Sequence, residues 1–247
     1  MKGARYVVSH ADIAGRIMVA LDVPGEAEAT NLLDVLRGIP CYMKVGMQLF
    51  YTAGPNFVLK LKERGHKVFL DLKLHDIPNT VKGAAESITR LGVDMFNVHV
   101  AGGVAMMERA LEGADKAAEA GRRPAVVGVT QLTSTSQTVL NEEIGIAGTM
   151  EEAVLRYARL ARQAGLDGVV ASPREVAAIK RACDASFLTV TPGIRPAGAD
   201  TGDQARVTTP AEAFRQGSDY IVIGRPITAS PDPRGALESI IEELKLA

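Results

Sequence analysis

Eight short runs of apolar and β-branched residues recur along the chain, at Ile17–Leu21, Cys41–Val45, Lys67–Leu72, Asp94–Val98, Ala125–Val129, Asp167–Ala171, Leu188–Thr191 and Asp219–Ile223. Their length and composition make them eight strand candidates. The stretches after them carry apolar residues at helical spacing amid Ala, Glu, Lys and Arg: Glu26–Arg37, Asn56–Arg64, Val81–Leu91, Val104–Ala120, Met150–Ala164, Arg174–Ala182, Ala211–Gln216 and Gly235–Leu246. Four of these helices run into a glycine just before the next strand, at Arg64-Gly65, Leu91-Gly92, Ala164-Gly165 and Gln216-Gly217. A left-handed cap is predicted at each, because glycine has no Cβ to clash there.

Eight strand–helix units in 247 residues predict an α/β protein, a single-domain (β/α)₈ TIM barrel over residues 1–247, with residues 1–15 as a candidate N-terminal arm. The alternative is an open, doubly wound sheet. Such a sheet usually carries a G-x-G-x-x-G phosphate loop after its first strand, whereas Asp22-Val23-Pro24-Gly25 stands here. No low-complexity run or Pro/Ser-rich linker marks an internal boundary.

Charge narrows the partners. Twenty-eight Lys and Arg against 29 Asp and Glu leave no bulk basic surface for nucleic acid, though a small anionic ligand remains compatible. The two cysteines, Cys41 and Cys183, lie in apolar or helical stretches and do not form a disulfide framework, which favours a reducing compartment. Residues 1–11 lack the apolar core of a signal peptide and no run reaches 18 apolar residues, so a cytoplasmic protein with no membrane association is expected.

In a closed barrel the chemistry sits at the C-terminal ends of the strands. Those positions hold Asp22, Lys44, Asp71 and Lys73, His99, Thr130 and Thr133, Ser172, Arg195, and Gly224-Arg225, in strand order. Any one of them could be a solvated rim residue. Two Lys, two Asp and two Arg from five strands around one opening form a concentration of charge that calls for a charged ligand or mutual pairing. Gly224-Arg225 offers a backbone N–H and a guanidinium fork where barrels commonly hold phosphate; a plain tight turn is the other reading. The Gly-rich, Pro-bounded stretch from Thr191 to Gln204 has the character of a lid. Within it Gln204 could bridge a base carbonyl and a phosphate oxygen, or simply be solvated.

The densest segment is Asp71-Leu72-Lys73-Leu74-His75-Asp76-Ile77-Pro78-Asn79-Thr80. In an extended strand Asp71 and Lys73, two apart, share a face. Asp76 follows at the turn, near enough to meet the same ligand volume or a neighbouring subunit. A lysine flanked by carboxylates stays protonated, which makes Lys73 a proton donor and argues against a Schiff-base nucleophile. The four histidines show no H-x-x-x-H spacing, so no metal site is expected. A charge-paired strand end without chemistry is the bland alternative.

Asp71-x-Lys73-x-x-Asp76-Ile77-Pro78-x-Thr80, joined in order by Leu21-Asp22, Lys44-Val45-Gly46, Leu132-Thr133-Ser134, Thr191-Pro192-Gly193-Ile194-Arg195-Pro196 and Ile223-Gly224-Arg225, resembles the bacterial-type orotidine 5′-phosphate decarboxylases from first strand to last. Only the segment before Ile17 and the loop from Ser136 to Thr149 find no match. The resemblance implies decarboxylation of orotidine 5′-monophosphate to uridine 5′-monophosphate and carbon dioxide in de novo pyrimidine biosynthesis, with no metal and no organic cofactor. It implies that Asp22 and Lys44 bind the ribose, that Asp71 lies near the scissile carboxylate, and that Lys73 protonates C6. Thr133 and Ser134 would meet the pyrimidine edge, and Arg195, Gln204, Gly224 and Arg225 the phosphate. Asp76 and Thr80 would reach across a homodimer interface into the neighbouring site. Related sugar-phosphate barrels, hexulose-phosphate synthases and ketogulonate-phosphate decarboxylases, share D-x-K-x-x-D and use magnesium; Ile77-Pro78-x-Thr80 and Thr191–Pro196 favour the nucleotide enzyme. A catalytically silent phosphate-binding barrel is the non-enzymatic alternative.

Overall fold

The structure is a computed structural model and describes residues 9–196 and 207–246. Strands β1 (Ile17–Ala20), β2 (Tyr42–Gly46), β3 (Lys67–Leu74), β4 (Met95–His99), β5 (Ala125–Val129), β6 (Gly168–Val170), β7 (Leu188–Thr191) and β8 (Tyr220–Ile223) close into a parallel barrel in sequence order. Closure sets Ile17, Met18 and Val19 of β1 beside Ile221, Val222 and Ile223 of β8. Among the described residues the α-helices are α1 (His10–Ala14), α2 (Glu26–Val35), α3 (Met47–Glu63), α4 (Pro78–Arg90), α5 (Val104–Ala117), α6 (Met150–Gln163), α7 (Pro173–Ala182), α8 (Pro210–Arg215), α9 (Arg225–Thr228) and α10 (Pro233–Leu246). This is the (β/α)₈ barrel that the alternation predicts, in one domain. None of these helices is long and apolar enough to cross a membrane.

The strands are apolar on both faces because each face has its own core. Met18, Ala20, Tyr42, Phe69, Met95, Val127, Val190 and Val222 fill the barrel, while Ile17, Val19, Met43, Val68, Leu70, Phe96, Val98 and Ile221 pack outward with the helices. Toward the C-terminal ends the inward series turns polar: Ala20 gives way to Asp22, Tyr42 to Lys44, Phe69 to Asp71, and Met95 to Asn97. The period of two thus aims these side chains into one mouth.

At the opposite end three aspartates stitch neighbouring strands. Asp94, Asp167 and Asp219 accept the backbone N–H of Val68, Val126 and Thr189, each at 2.7 Å, and each pairs with a cation: Lys62, Arg123 and Lys180. The expected strands beginning at these aspartates therefore start one residue later, because the carboxylate is committed to the adjacent strand.

The four predicted caps are present, with φ of 81° at Gly65, 73° at Gly92, 86° at Gly165 and 96° at Gly217. Helix α3 begins at Met47, well before the expected Asn56, as two helical pieces meeting at Gly54 with φ 71° just before Pro55. Within the stretch expected as an arm, α1 is capped by Ser9 and Asp12, buries Ile13 and Ala14, and packs against α10. Cys41 and Cys183 are both buried and free.

Candidate active site

A cavity of about 450 Å³ opens at the C-terminal mouth, floored by the inward residues Ala20, Phe69, Val170 and Val222. Its wall carries Asp22, Lys44, Asp71, Lys73, Thr133, Ser134, Arg195, Gly224 and Arg225, side chains and turns from β1, β2, β3, β7, β8 and the loop after β5.

Four of the charges form an alternating chain. Lys44 Nζ lies 2.9 Å from Asp22 Oδ1 and 3.4 Å from Asp71 Oδ2, and Lys73 Nζ lies 2.7 Å from Asp71 Oδ1. Burial works against the Lys44 ammonium, but the carboxylates of Asp71 and Asp22 outweigh it and hold the ammonium above the ordinary lysine value. Burial also works against the Asp71 carboxylate. Lys44, Lys73 and a hydrogen bond from Asn97 overcome it, so that carboxyl sits below its ordinary value. Gly46 leaves the room this packing needs: a Cβ there would stand 3.2 Å from both Asp22 Oδ1 and Lys44 Nζ.

Asp71 and Lys73 meet, but not as neighbours on a regular strand. Leu70 pairs with Phe96 and Leu74 with Val98, so β3 spends four residues where β4 spends two. Lys73 lies within this bulge at φ 53°, the only non-glycine residue with positive φ among the described residues. Asn97, which sequence reasoning missed, occupies the gap. Its Nδ2 donates to Asp71 Oδ1 at 2.7 Å and its Oδ1 accepts the Lys73 backbone N–H at 2.8 Å. A lone amide set among Met95, Phe96 and Val98 was the available signal. Gln131, buried just beyond β5 and lining the cavity, was missed as well.

The wall beside this charged chain comes from two turns. Gly224 closes β8 with φ −108° and ψ −107°, and Arg225 opens α9. A Cβ on Gly224 would stand 3.9 Å from Asp22 Oδ2, so this turn adjoins the charged chain. Arg195 is buried and donates to the Ile194 carbonyl at 2.9 Å. Gln204 lies outside the described residues.

Other expected residues do not line the cavity. Asp76 and Thr80 are exposed and do not line this chain's cavity; Asp76 accepts the Ile77 backbone N–H at 2.7 Å, and among the described residues no ion pair joins it to Lys73. Thr130 donates to the Val170 carbonyl, and Ser172 is buried at the start of α7 with its N–H on Glu175. His99 lies with its ring centroid 5.5 Å from His75; burial, His75 and Lys73 push its imidazole below the ordinary value.

The profile of the family described as orotidine 5′-phosphate decarboxylase / HUMPS family matches residues 15–240. The chain belongs to this family. An orotidine 5′-phosphate decarboxylase of Moorella thermoacetica is 55% identical over 233 residues, covering 94% of this chain and 92% of that one. One from Bacillus mycoides is 51% identical over 228 residues, covering 92% and 96%. Among solved structures, an orotidine 5′-phosphate decarboxylase of Lactobacillus acidophilus superposes with a TM-score of 0.83 at 42% identity, covering 92% of this chain and 98% of that chain. An uncharacterized conserved protein of Geobacillus kaustophilus gives 0.83 at 48% identity, with 92% and 99% covered.

Proposed function

We propose that this protein decarboxylates orotidine 5′-monophosphate to uridine 5′-monophosphate and carbon dioxide, a step of pyrimidine biosynthesis carried out in the cytoplasm. The observation that carries the reading is the alternating chain Asp22, Lys44, Asp71, Lys73 beside a Gly224-Arg225 turn in one cavity. Half-identical relatives bearing that name over nine-tenths of the chain support it.

In the reaction the bond from C6 to the carboxylate breaks, its electron pair stays on C6, and carbon dioxide leaves. Lys73 then gives its proton to C6. The carbanion-like transition state needs fixed positive charge, and an ammonium held at 2.7 Å by Asp71 is oriented before the charge develops; such preorganised electrostatics is usually the largest catalytic contribution. Asp71 faces the departing carboxylate. Asp22 and Lys44 hold the ribose hydroxyls, Thr133 and Ser134 the pyrimidine edge, and Arg195, Gln204, Gly224 and Arg225 the phosphate. None of these roles calls on a metal or an organic cofactor.

The working unit in this reading is a homodimer in which Asp76 and Thr80 serve the partner's site. Both are exposed and outside their own cavity, and Ile77 between them leaves 68% of its surface uncovered, an apolar surface suited to an isologous contact. The test is loss of orotate absorbance on orotidine 5′-monophosphate with and without chelator. Turnover insensitive to chelator is expected. No turnover would leave a silent phosphate-binding barrel or a sugar-phosphate barrel, and turnover abolished by chelator would overturn the metal-free reading.

A further inference from the structure

We infer that Asn97 is a positioning residue that sets the geometry of the Asp71–Lys73 pair. Asn97 is 1% exposed, at the centre of β4. It holds the carboxylate of one member of the pair and the backbone of the other. Because the amide is planar, its two bonds fix the Asp71 carboxylate and the Lys73 main chain relative to each other.

The reason an amide is needed lies in the bulge. Where β3 spends four residues against two, the regular ladder cannot serve every backbone donor, and Lys73 takes the left-handed conformation that a side chain with a Cβ disfavours. The Asn97 carbonyl supplies an acceptor for the Lys73 N–H, which would otherwise be buried without one. The Asn97 NH₂ meets Asp71 Oδ1 alongside Lys73 Nζ, leaving Oδ2 toward Lys44. The opposite orientation of the amide would set like against like at both ends, so its two partners define a single arrangement. Among side chains of that size only an amide offers one acceptor and one strong donor at this separation without having to bind a proton.

Two variants test this, and the test rests on the decarboxylase reading only in its turnover arm. Asn97→Ala removes both bonds. Asn97→Asp keeps the acceptor for Lys73 N–H but sets a carboxylate against Asp71, restoring a donor only when the introduced carboxyl is protonated. The surrounding titratable groups, Asp71 and Lys73 on β3, Lys44 on β2, and His99 with His75, are shared with the wild type, so each pH profile is read as a ratio to it. We expect Asn97→Ala to lower kcat by about 10²-fold with uridine 5′-monophosphate affinity within about threefold. Asn97→Asp should be comparably slow at pH 8 and regain about tenfold relative to wild type as the pH falls to about 5.

Turnover at wild-type level in Asn97→Asp at pH 8 would overturn the inference. So would loss of nucleotide affinity in step with kcat and no recovery at low pH, which is what a merely structural residue gives. The second arm needs no turnover: carbon-13 NMR of the Asp71 carboxyl should show its titration moved upward in Asn97→Ala. An unmoved Asp71 titration refutes the role of Asn97 even if the protein proves to have another substrate, whereas an inactive wild type with a moved titration refutes only the substrate.

Discussion

Lys44 Nζ stands 3.4 Å from Asp71 Oδ2, with only 8% of the lysine side chain and 15% of the aspartate side chain open to solvent. An isolated charge at that depth would neutralise itself. Here the lysine is held by carboxylates on either side, and Asp71 by two ammonium groups and an amide. The array is electrically balanced and leaves the Lys73 ammonium at the cavity wall.

Removing the middle cation should therefore weaken the fold as well as the site. Lys44→Met is expected to lower the unfolding free energy at pH 7 by about 3 kcal/mol, the low end for breaking a buried pair because Lys73 and Asn97 still hold Asp71. The Asp71 carboxyl lies below its usual 3.8 in the fold, so its contribution is present above that value and lost as the pH falls through the folded one. Urea midpoints for variant and wild type should differ by a constant amount from pH 7 to about 4 and converge below it. A gap that persists undiminished at pH 2 would mean the lysine acts through packing alone.

Lys73→Ala should abolish turnover, by about 10⁴-fold or more, while uridine 5′-monophosphate affinity changes by less than about tenfold, since on the proposed roles the proton donor goes but the ribose and phosphate contacts stay. Single-turnover rates and calorimetric binding on the same preparation measure both quantities. Near-wild-type turnover would remove Lys73 from the chemistry.

Much of this was legible in the sequence because it follows from periodicity. The two-residue repeat that buries Met18 and Ala20 also carries Asp22 into the barrel mouth, and the glycine before four of the strands announces a left-handed cap. The bulge was not legible. Asp71 and Lys73 were expected to share a face as residues two apart, and they do meet, but through a left-handed Lys73 and a register shift that no spacing rule contains. Asn97 was hidden for the same reason: its value depends on facing that bulge from the neighbouring strand. The expected helix from Asn56 covers only the later part of α3, because in the fold a positive φ at Gly54, just before Pro55, lets two helical pieces join. Where Asp76 and Thr80 act is not legible from periodicity: both are exposed and outside their own chain's cavity.

On the proposed phosphate role, Arg225→Ala should remove a charge-assisted contact and weaken uridine 5′-monophosphate binding by roughly 1.5–3 kcal/mol. Uridine, which has no phosphate, should bind variant and wild type equally. Comparing the two ligands by competition separates the phosphate contact from general damage to the cavity, and an equal loss for both would contradict the assignment.

The proposed shared-site arrangement makes a prediction that no single variant can. Lys73 pairs with Asp71 of its own chain, whereas Asp76 is exposed outside its own cavity. If Asp76 serves the partner's site, Lys73→Ala and Asp76→Ala homodimers are each nearly dead at both sites. An isologous interface exchanges the same residue in both directions, so in a mixed dimer one site collects both lesions and the other collects none. Random reassortment makes about half of the dimers mixed, each with one intact site of two, so an equimolar co-refolded mixture should recover about a quarter of wild-type activity per chain. Native mass spectrometry counts the mixed dimers. A mixture that contains them and stays as inactive as its parents would mean that Asp76 acts within its own subunit.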